Sequence, residues 1–373
     1  MPLTCQKIID AMEELAPANL ALEWDNTGLL IGSPSQIIHR VIVALDVTLE
    51  TVRKACMTEK TMIISHHPLI FKPITSIRTD LPQGNLLSEI IKNHLAVYSS
   101  HTNMDIATGG INDILAEKLG LLHTQPLEKS FSEKLYKIIV FVPESHLEEV
   151  RSAMSGAGAG HIGNYSGCTF STTGTGTFFP LEGSKPYIGQ TGQLEYVKEH
   201  RLETVVHESL RKKVVTAMLK SHPYEEVAYD MILLQNEGKS YGLGRVGDLA
   251  QPLSANDFIS MIKSVLRVNH LNAAGAVSDK MIKRVAVCGG SGATLSSRAV
   301  ALGADVFITG DVKYHEAQAA VDNGLIIIDA GHFPTENIFV PHVVGYLQKQ
   351  ASENNWDIVV EGMDKVRNIL SIY

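Results

Sequence analysis

The chain has 373 residues, 45% of them apolar and 19% charged, with 32 Lys and Arg against 40 Asp and Glu for a net charge of −8. This describes a globular chain long enough for two domains and excludes global disorder. The acidic balance argues against a nucleic-acid binder that relies on a basic surface, and four dispersed cysteines without a CxxC exclude thiolate zinc motifs and a disulfide framework.

The N-terminal MPLTCQKIIDAMEELAP reads as an amphipathic helix. It lacks a basic stretch followed by an apolar one, so it is not a secretion signal and a cytoplasmic location is expected. The longest apolar runs, such as 138–142 and 325–328, are too short to cross a membrane. Strands are expected at 41–45, 62–64 and 96–99, with helices at 85–93 and 112–119. The last part repeats the pattern, with strands at 284–288, 306–309 and 325–328. Each triplet is rich in Val and Ile, as parallel strands covered on both faces should be. The two triplets resemble an internal duplication. In each, the third strand runs into a loop carrying His-x3-acid, His101 to Asp105 and His332 to Glu336.

The middle has a different texture. A strand at 137–142 is followed by a helix over 145–158, then by Thr- and Gly-rich β segments at 168–171 and 176–179. A strand at 201–206, a helix over 209–222 stopped before Pro223 and a strand at 228–234 complete a β-α-β-β-α-β order, the split βαβ pattern. The glycine-rich stretch 236–247 reads as a linker. The expected architecture is therefore α/β: two related αβ halves, 1–129 and 236–373, interrupted by a ferredoxin-like α+β insert at 130–235.

Ser65-His66-His67-Pro68 follows an apolar strand directly, where open α/β sheets place their ligands. Adjacent residues leaving a strand diverge, so the two imidazoles can face two different ions. With His101, Asp105, His332 and Glu336 they supply six nitrogen or oxygen donors from strand ends. Such a set suits divalent first-row metals, and two ions about 3.5–4 Å apart better than one. Asp46 and the loop Trp24-Asp25-Asn26-Thr27-Gly28 read as structural neighbours of that face. Cys288-Gly289-Gly290-Ser291-Gly292 precedes a helix expected near Ala293. It reads as a tight turn or as a cradle in which Gly289, Gly290 and Gly292 offer backbone N–H groups to a phosphate. Lys313 is a candidate contact for an anionic substrate, and His315 lies either near the metals or at a helix cap. The GxGxxG match at 158–163 follows a helix rather than a strand, so it is read as a loop and not a dinucleotide fingerprint. The segment His222-Pro-Tyr-Glu-Glu226 reads as a solvated turn.

The motifs SHHPLIF, HTNMDIA, TGDVKYH and GHFPTE together resemble the Nif-three-like family, also labelled GTP cyclohydrolase type-two homologs. The segments HIGNYSGCTFSTTGTGTFFP and SHPYEEVAYD look like the PII- or CutA-like insert of its longer bacterial members. The resemblance covers essentially the whole chain. It implies a dinuclear metal site held by His66, His67, Asp105, His332 and Glu336, with Glu336 bridging and His101 as a neighbouring or catalytic residue. It implies two divalent ions per subunit, zinc in first place with iron, manganese or cobalt as alternatives, and a toroidal homohexamer. The implied activity is metal-dependent hydrolysis, in which a hydroxide shared by the metals attacks a nucleotide or phosphoester. The alternative is a non-enzymatic metal-binding regulator or scaffold. A small-molecule substrate is expected as partner; nucleic acid and membrane are not.

Overall fold

The Val- and Ile-rich runs form strands because β-branched side chains suit a pleated surface that is covered on both faces. The computed structural model describes residues 2–275, 280–363 and 368–370. The chain is mixed α/β and divides into two units, Met1–Ser130 with Tyr241–Tyr373, and Phe131–Ser240.

In the first unit, the strands Arg40–Ala44, Thr61–Ser65 and Ala96–Ser99 run parallel. Val359–Gly362 joins parallel beside Arg40–Ala44, and Gly28–Ile31 joins antiparallel beside Ala96–Ser99. A second triple, Met281–Val287, Val306–Thr309 and Ile326–Asp329, is also parallel. It is flanked antiparallel by Asn272–Ala274 and by the strand Tyr229–Ser254.

Side chains alternate between faces along these strands. Val41, Val43, Met62 and Ile64 share one core with Val285, Val287, Ile308 and Ile328, so that core lies between the two sheets. Helix Cys5–Leu15 contributes Ile8 and Met12 to it. The intervening residues Ile42, Ile63 and Val97 face the other way, against Val52 and Ile90 of helices Leu49–Ala55 and Pro82–Lys92. Ala286, Phe307 and Ile327 do the same against Ala299 and Ala320. Each fully buried Val or Ile contributes about 1.5–3 kcal/mol relative to exposure.

The second unit follows the expected order: the latter part of strand Leu121–Pro143, helix Leu147–Gly156, strands Thr169–Phe178 and Glu195–His207, helix Arg211–Ser221, and the start of Tyr229–Ser254. Ile138, Val140, Leu202 and Val206 pack against Val150, Met154, Val214 and Met218 of the two helices. The segments expected as two strands at 168–171 and 176–179 form one, paired antiparallel along its length with Glu195–His207.

Two expectations are corrected here. The stretch 236–247 is not a linker but the interior of the strand Tyr229–Ser254. Its glycines are required by neighbouring backbone: a Cβ at Gly238 would lie 2.3 Å from the Glu133 carbonyl oxygen, and one at Gly242 1.9 Å from that of Glu128. His222 is not in a solvated turn. It is buried, and its Nε2 lies 2.9 Å from the Phe141 carbonyl oxygen. The GxGxxG match at 158–163 is a loop after helix Leu147–Gly156, as expected. Among the described residues no helix is long and apolar enough to cross a membrane.

Candidate metal centre

All the donors expected from the sequence lie in the first unit, just past the carboxyl ends of the two parallel triples. His66 and His67 follow strand Thr61–Ser65, and His101 follows Ala96–Ser99. His332 stands three residues beyond Ile326–Asp329. The two His-x3-acid segments were expected as loops. They are short helices, Thr102–Ile106 and His332–Glu336. The spacing is therefore that of one helical turn, which puts the first and fifth side chains on one side.

Glu336 is the centre of the arrangement. Its Oε2 lies 2.9 Å from His67 Nε2 and 2.8 Å from His332 Nε2. Its Oε1 turns the other way, 3.7 Å from His66 Nε2. His66 Nε2 is also 3.8 Å from Asp105 Oδ1. One carboxylate thus spans two groups of donors. The donor atoms of His67, His332 and Glu336 all lie within 4.8 Å of one another, and so do those of His66, His67 and His101. His101, counted among the six donors by its spacing and given as a neighbouring or catalytic residue by the resemblance, lies within the group of His66 and His67.

Every imidazole is held from behind by its Nδ1. His66 Nδ1 donates to the Ser100 carbonyl oxygen at 3.0 Å, and His67 Nδ1 to Asp46 at 2.8 Å. His101 Nδ1 donates to Asp25 at 2.9 Å, and His332 Nδ1 to Asp311 at 2.7 Å. A proton fixed on Nδ1 leaves Nε2 as the ligand atom and sets the ring's orientation, which is how metal-binding histidines are supported. Asp25 also accepts from the Thr102 amide and hydroxyl. Burial works against its ionisation, but the hydrogen bonds from His101 and Thr102 outweigh it and lower its carboxyl to about 2.

Charge is concentrated here. Burial opposes a charge on His67, yet its hydrogen bonds to Asp46 and Glu336 hold its pKa up at about 10. The hydrogen bond to Glu336 does the same for His332, to about 9. Glu336 is held well below the usual carboxylate range: burial alone would raise it, but His332, His66 and His67 prevail. Asp105 is pushed up to about 6, chiefly by burial, with His66 pulling it down and the Glu336 charge adding to the rise. Among the buried side-chain atoms left with no hydrogen-bond partner are His66 Nε2 and Asp105 Oδ1. Buried polar atoms are rarely left so. A cation between them would satisfy both, and the nitrogen and oxygen donor set suits a divalent first-row metal.

The glycine turn has a different role from the phosphate cradle considered above. The N–H of Gly289 donates to Asn112 Oδ1, that of Gly290 to Thr335 Oγ1 and that of Gly292 to Thr309 Oγ1. All three donors are already engaged within the protein. A Cβ at Gly290 would lie 2.0 Å from Glu336 Oε1. The turn therefore makes room for the central carboxylate. Lys313 is exposed at the start of helix Tyr314–Asp322, and its amide donates to Glu316. His315 is exposed on that helix, edge-on to Tyr314. Neither is among the clustered donors. Cys288 is buried beside the cluster, and burial followed by the Asp105 and Glu336 charges pushes its thiol up, so it stays protonated.

Sequence reasoning missed Asp311. Its neighbours Lys313 and His315 drew attention in TGDVKYH, whereas the acid two residues past strand Val306–Thr309 is the one that holds a ligand ring. The signal was available: Asp46 and Asp311 both follow strand ends of the parallel triples. Asp311 also takes a left-handed backbone, φ 55°, a conformation Asp tolerates better than most residues.

Comparisons with known proteins place the chain in a family. The Duf34/NIF3 (NGG1p interacting factor 3) family profile matches residues 3–368. A protein of Halalkalibacterium halodurans named GTP cyclohydrolase 1 type 2 homolog is 44% identical over 355 residues, 95% of each chain. One of Bacillus subtilis with the same name is 43% identical, covering 95% of this chain and 94% of its own. The crystal structure of a Bacillus cereus protein related to NIF3 superposes with a TM-score of 0.92 at 42% identity, over 100% of both chains. This chain belongs to the Duf34/NIF3 (NGG1p interacting factor 3) family.

Proposed function

We propose that the cluster is a dinuclear divalent-metal centre and that the chain is a metal-dependent hydrolase acting on a nucleotide or phosphoester. The observation that carries the proposal is the pair of buried, partnerless atoms, His66 Nε2 and Asp105 Oδ1, set against a carboxylate whose two oxygens face different imidazoles. His67, His332 and Glu336 Oε2 would hold one ion; His66, Asp105 and Glu336 Oε1 would hold the other, with His101 facing that second group. Zinc is the first choice, with iron, manganese and cobalt offering the same donor preference.

Bound metals would supply electrophilic stabilisation and a water acidic enough to react near neutral pH. The chain's own residues do the rest. Asp25, Asp46, Asp311 and the Ser100 carbonyl keep the four rings from turning when a substrate enters. Glu336 couples the two groups, so that displacement of one is felt by the other. The names of the curated relatives support nucleotide chemistry as the first substrate class to test.

The experiment is reconstitution with a defined metal, measurement of metal per chain, and assay of GTP and generic phosphoesters. About two ions per chain with turnover, both lost in His67→Ala, is the expected result. Metal without turnover on any of these compounds would instead favour a metal-binding regulator or scaffold.

A further inference from the structure

Beside the donor cluster lies a feature the hydrolytic reading does not use. Trp24 is 57% exposed and Phe71 47% exposed. Scattered exposed apolar residues are ordinary. These two are not scattered: their ring centroids are 5.7 Å apart with the planes tilted by 56°. Both also stand nearly edge-on to the His101 imidazole, at 6.0 Å and 73° for Trp24 and 6.5 Å and 77° for Phe71.

The placement is built in from the sequence. Asp25, next to Trp24, is the acid that holds His101 Nδ1. Asn26 donates to the carbonyl oxygen of Ile70, next to Phe71. The two exposed rings are therefore tied to each other and to His101 by their chain neighbours. Being tilted by 56°, the two rings do not stack on one another, and each stays about half exposed.

We propose that Trp24 and Phe71 form a stacking shelf that holds the planar heteroaromatic ring of the substrate beside His101. Aromatic rings associate at centroid separations of about 4.5–7 Å. Trp24 and Phe71 stand 6.0 and 6.5 Å from the His101 ring, and His101 belongs to the same donor group as His66 and His67. The reacting atom is then in the ring or attached to it, and not at the far end of a phosphate chain. The inference rests on the proposed hydrolytic function only for the word substrate; ring binding is a separate property.

The sequence provides the reporter. Trp24 and Trp356 are its two tryptophans, and Trp356 is partly buried against the core. A Trp356→Phe chain carrying its metals leaves Trp24 as the single emitter. Guanosine and GMP should quench it saturably, and ribose 5-phosphate should not. Phe71→Leu should weaken GMP binding tenfold or more at unchanged metal content, and Trp24→Leu should do the same by calorimetry. Phe71→Leu alters an exposed ring, so it keeps the test decisive where Trp24→Leu fails to fold.

Ribose 5-phosphate binding as tightly as GMP, or both leucine variants binding GMP within twofold of wild type, overturns the shelf. So does a Trp24 emission already shielded from acrylamide in the free protein, because another copy of the chain then covers it. Ring binding without turnover leaves this inference standing and removes the hydrolytic reading. Turnover of ring-free phosphoesters without ring binding does the reverse.

Discussion

His66 Nε2 and Asp105 Oδ1 face each other across 3.8 Å, both buried and neither with a hydrogen-bond partner. A buried polar atom without a partner costs about 1–3 kcal/mol. The metal-free protein carries that cost twice, beside the like charges of Asp105 and Glu336. Asp105→Asn removes one of those charges at nearly constant shape. Without metal, the variant should melt at or above the wild-type temperature. With saturating metal it should fall below wild type and bind about one ion fewer per chain. Thermal melts with and without chelator, paired with metal analysis, check this. A variant that loses stability equally in both states would show that Asp105 is only a packing residue.

The supporting acids should matter to the metal and little to the fold. Asp46 and Asp311 touch His67 and His332 through Nδ1, on the side away from the cluster. Asp46→Asn and Asp311→Asn should each lower metal affinity by about 10–100-fold, the usual effect of removing such a partner. Both acids are close to half-exposed, so water screens part of the charge stabilisation they lend His67 and His332, and the melting temperature without metal should fall only modestly. Competition against a chelator of known affinity measures the first effect. An unchanged affinity in both variants would mean the rings are oriented by packing alone.

Gly290 and Gly303 allow a controlled comparison. Both have left-handed backbones, φ 62° and φ 73°. An added Cβ at Gly303 meets open space, whereas at Gly290 it would lie 2.0 Å from Glu336 Oε1. Each substitution to alanine should cost about 1 kcal/mol through the backbone. Only Gly290→Ala should also displace Glu336 and lose metal. Parallel loss of metal in Gly303→Ala would point to general destabilisation instead.

Metal binding should release protons. In the metal-free protein the acids around His67 and His332 hold their pKa values at about 10 and about 9, so both rings carry a proton at pH 7. These folded values lie above the ordinary 6.5. The stability they lend the metal-free fold is therefore complete below pH 6.5 and is lost as pH rises through about 9 and 10. A metal must displace the same protons, so its apparent affinity should rise with pH over that window. Calorimetry in two buffers of different ionisation enthalpy counts the protons released. A count of zero at pH 7 would show that the rings are already neutral.

Much of this was legible in the residues, for a physical reason. Buried parallel strands need Val and Ile on both faces, so 62–64, 96–99 and 306–309 stand out, and the structure places strands there. Ligands leave strand ends, so His66, His67, His101 and His332 stand out too. Glycine misled in opposite directions. At 236–247 it reads as flexibility, but Gly238 and Gly242 sit where a neighbouring carbonyl leaves no room for a Cβ. At 289–292 it reads as a tight turn or as a phosphate cradle, and the cradle fails because the backbone donors go to Asn112, Thr335 and Thr309. Both errors concern what approaches the glycine from a distant part of the chain, which local pattern does not encode. Asp311 was missed likewise, because its partner His332 lies in another element.

The insert carries its own pH dependence, at His222. Its Nε2 faces the Phe141 carbonyl oxygen at 2.9 Å, and its Nδ1 accepts the Tyr224 amide at 3.2 Å. A carbonyl requires a proton on Nε2 and an N–H requires a lone pair on Nδ1. The neutral ring satisfies both, and protonation of Nδ1 would set two donors against each other. Burial is the main cause that lowers the His222 pKa, opposed by the Phe141 hydrogen bond and by Glu199. The folded value lies below the unfolded 6.5, so the unfolded chain binds the proton more tightly. The contribution is thus fully present above pH 6.5 and is lost as pH falls through the folded value. Melts between pH 8 and pH 5 on wild type and His222→Gln, both without metal, isolate it. The glutamine amide can still donate to Phe141 but cannot titrate, so its melting temperature should fall less steeply below pH 6.5. Identical slopes in the two proteins would remove His222 as the cause.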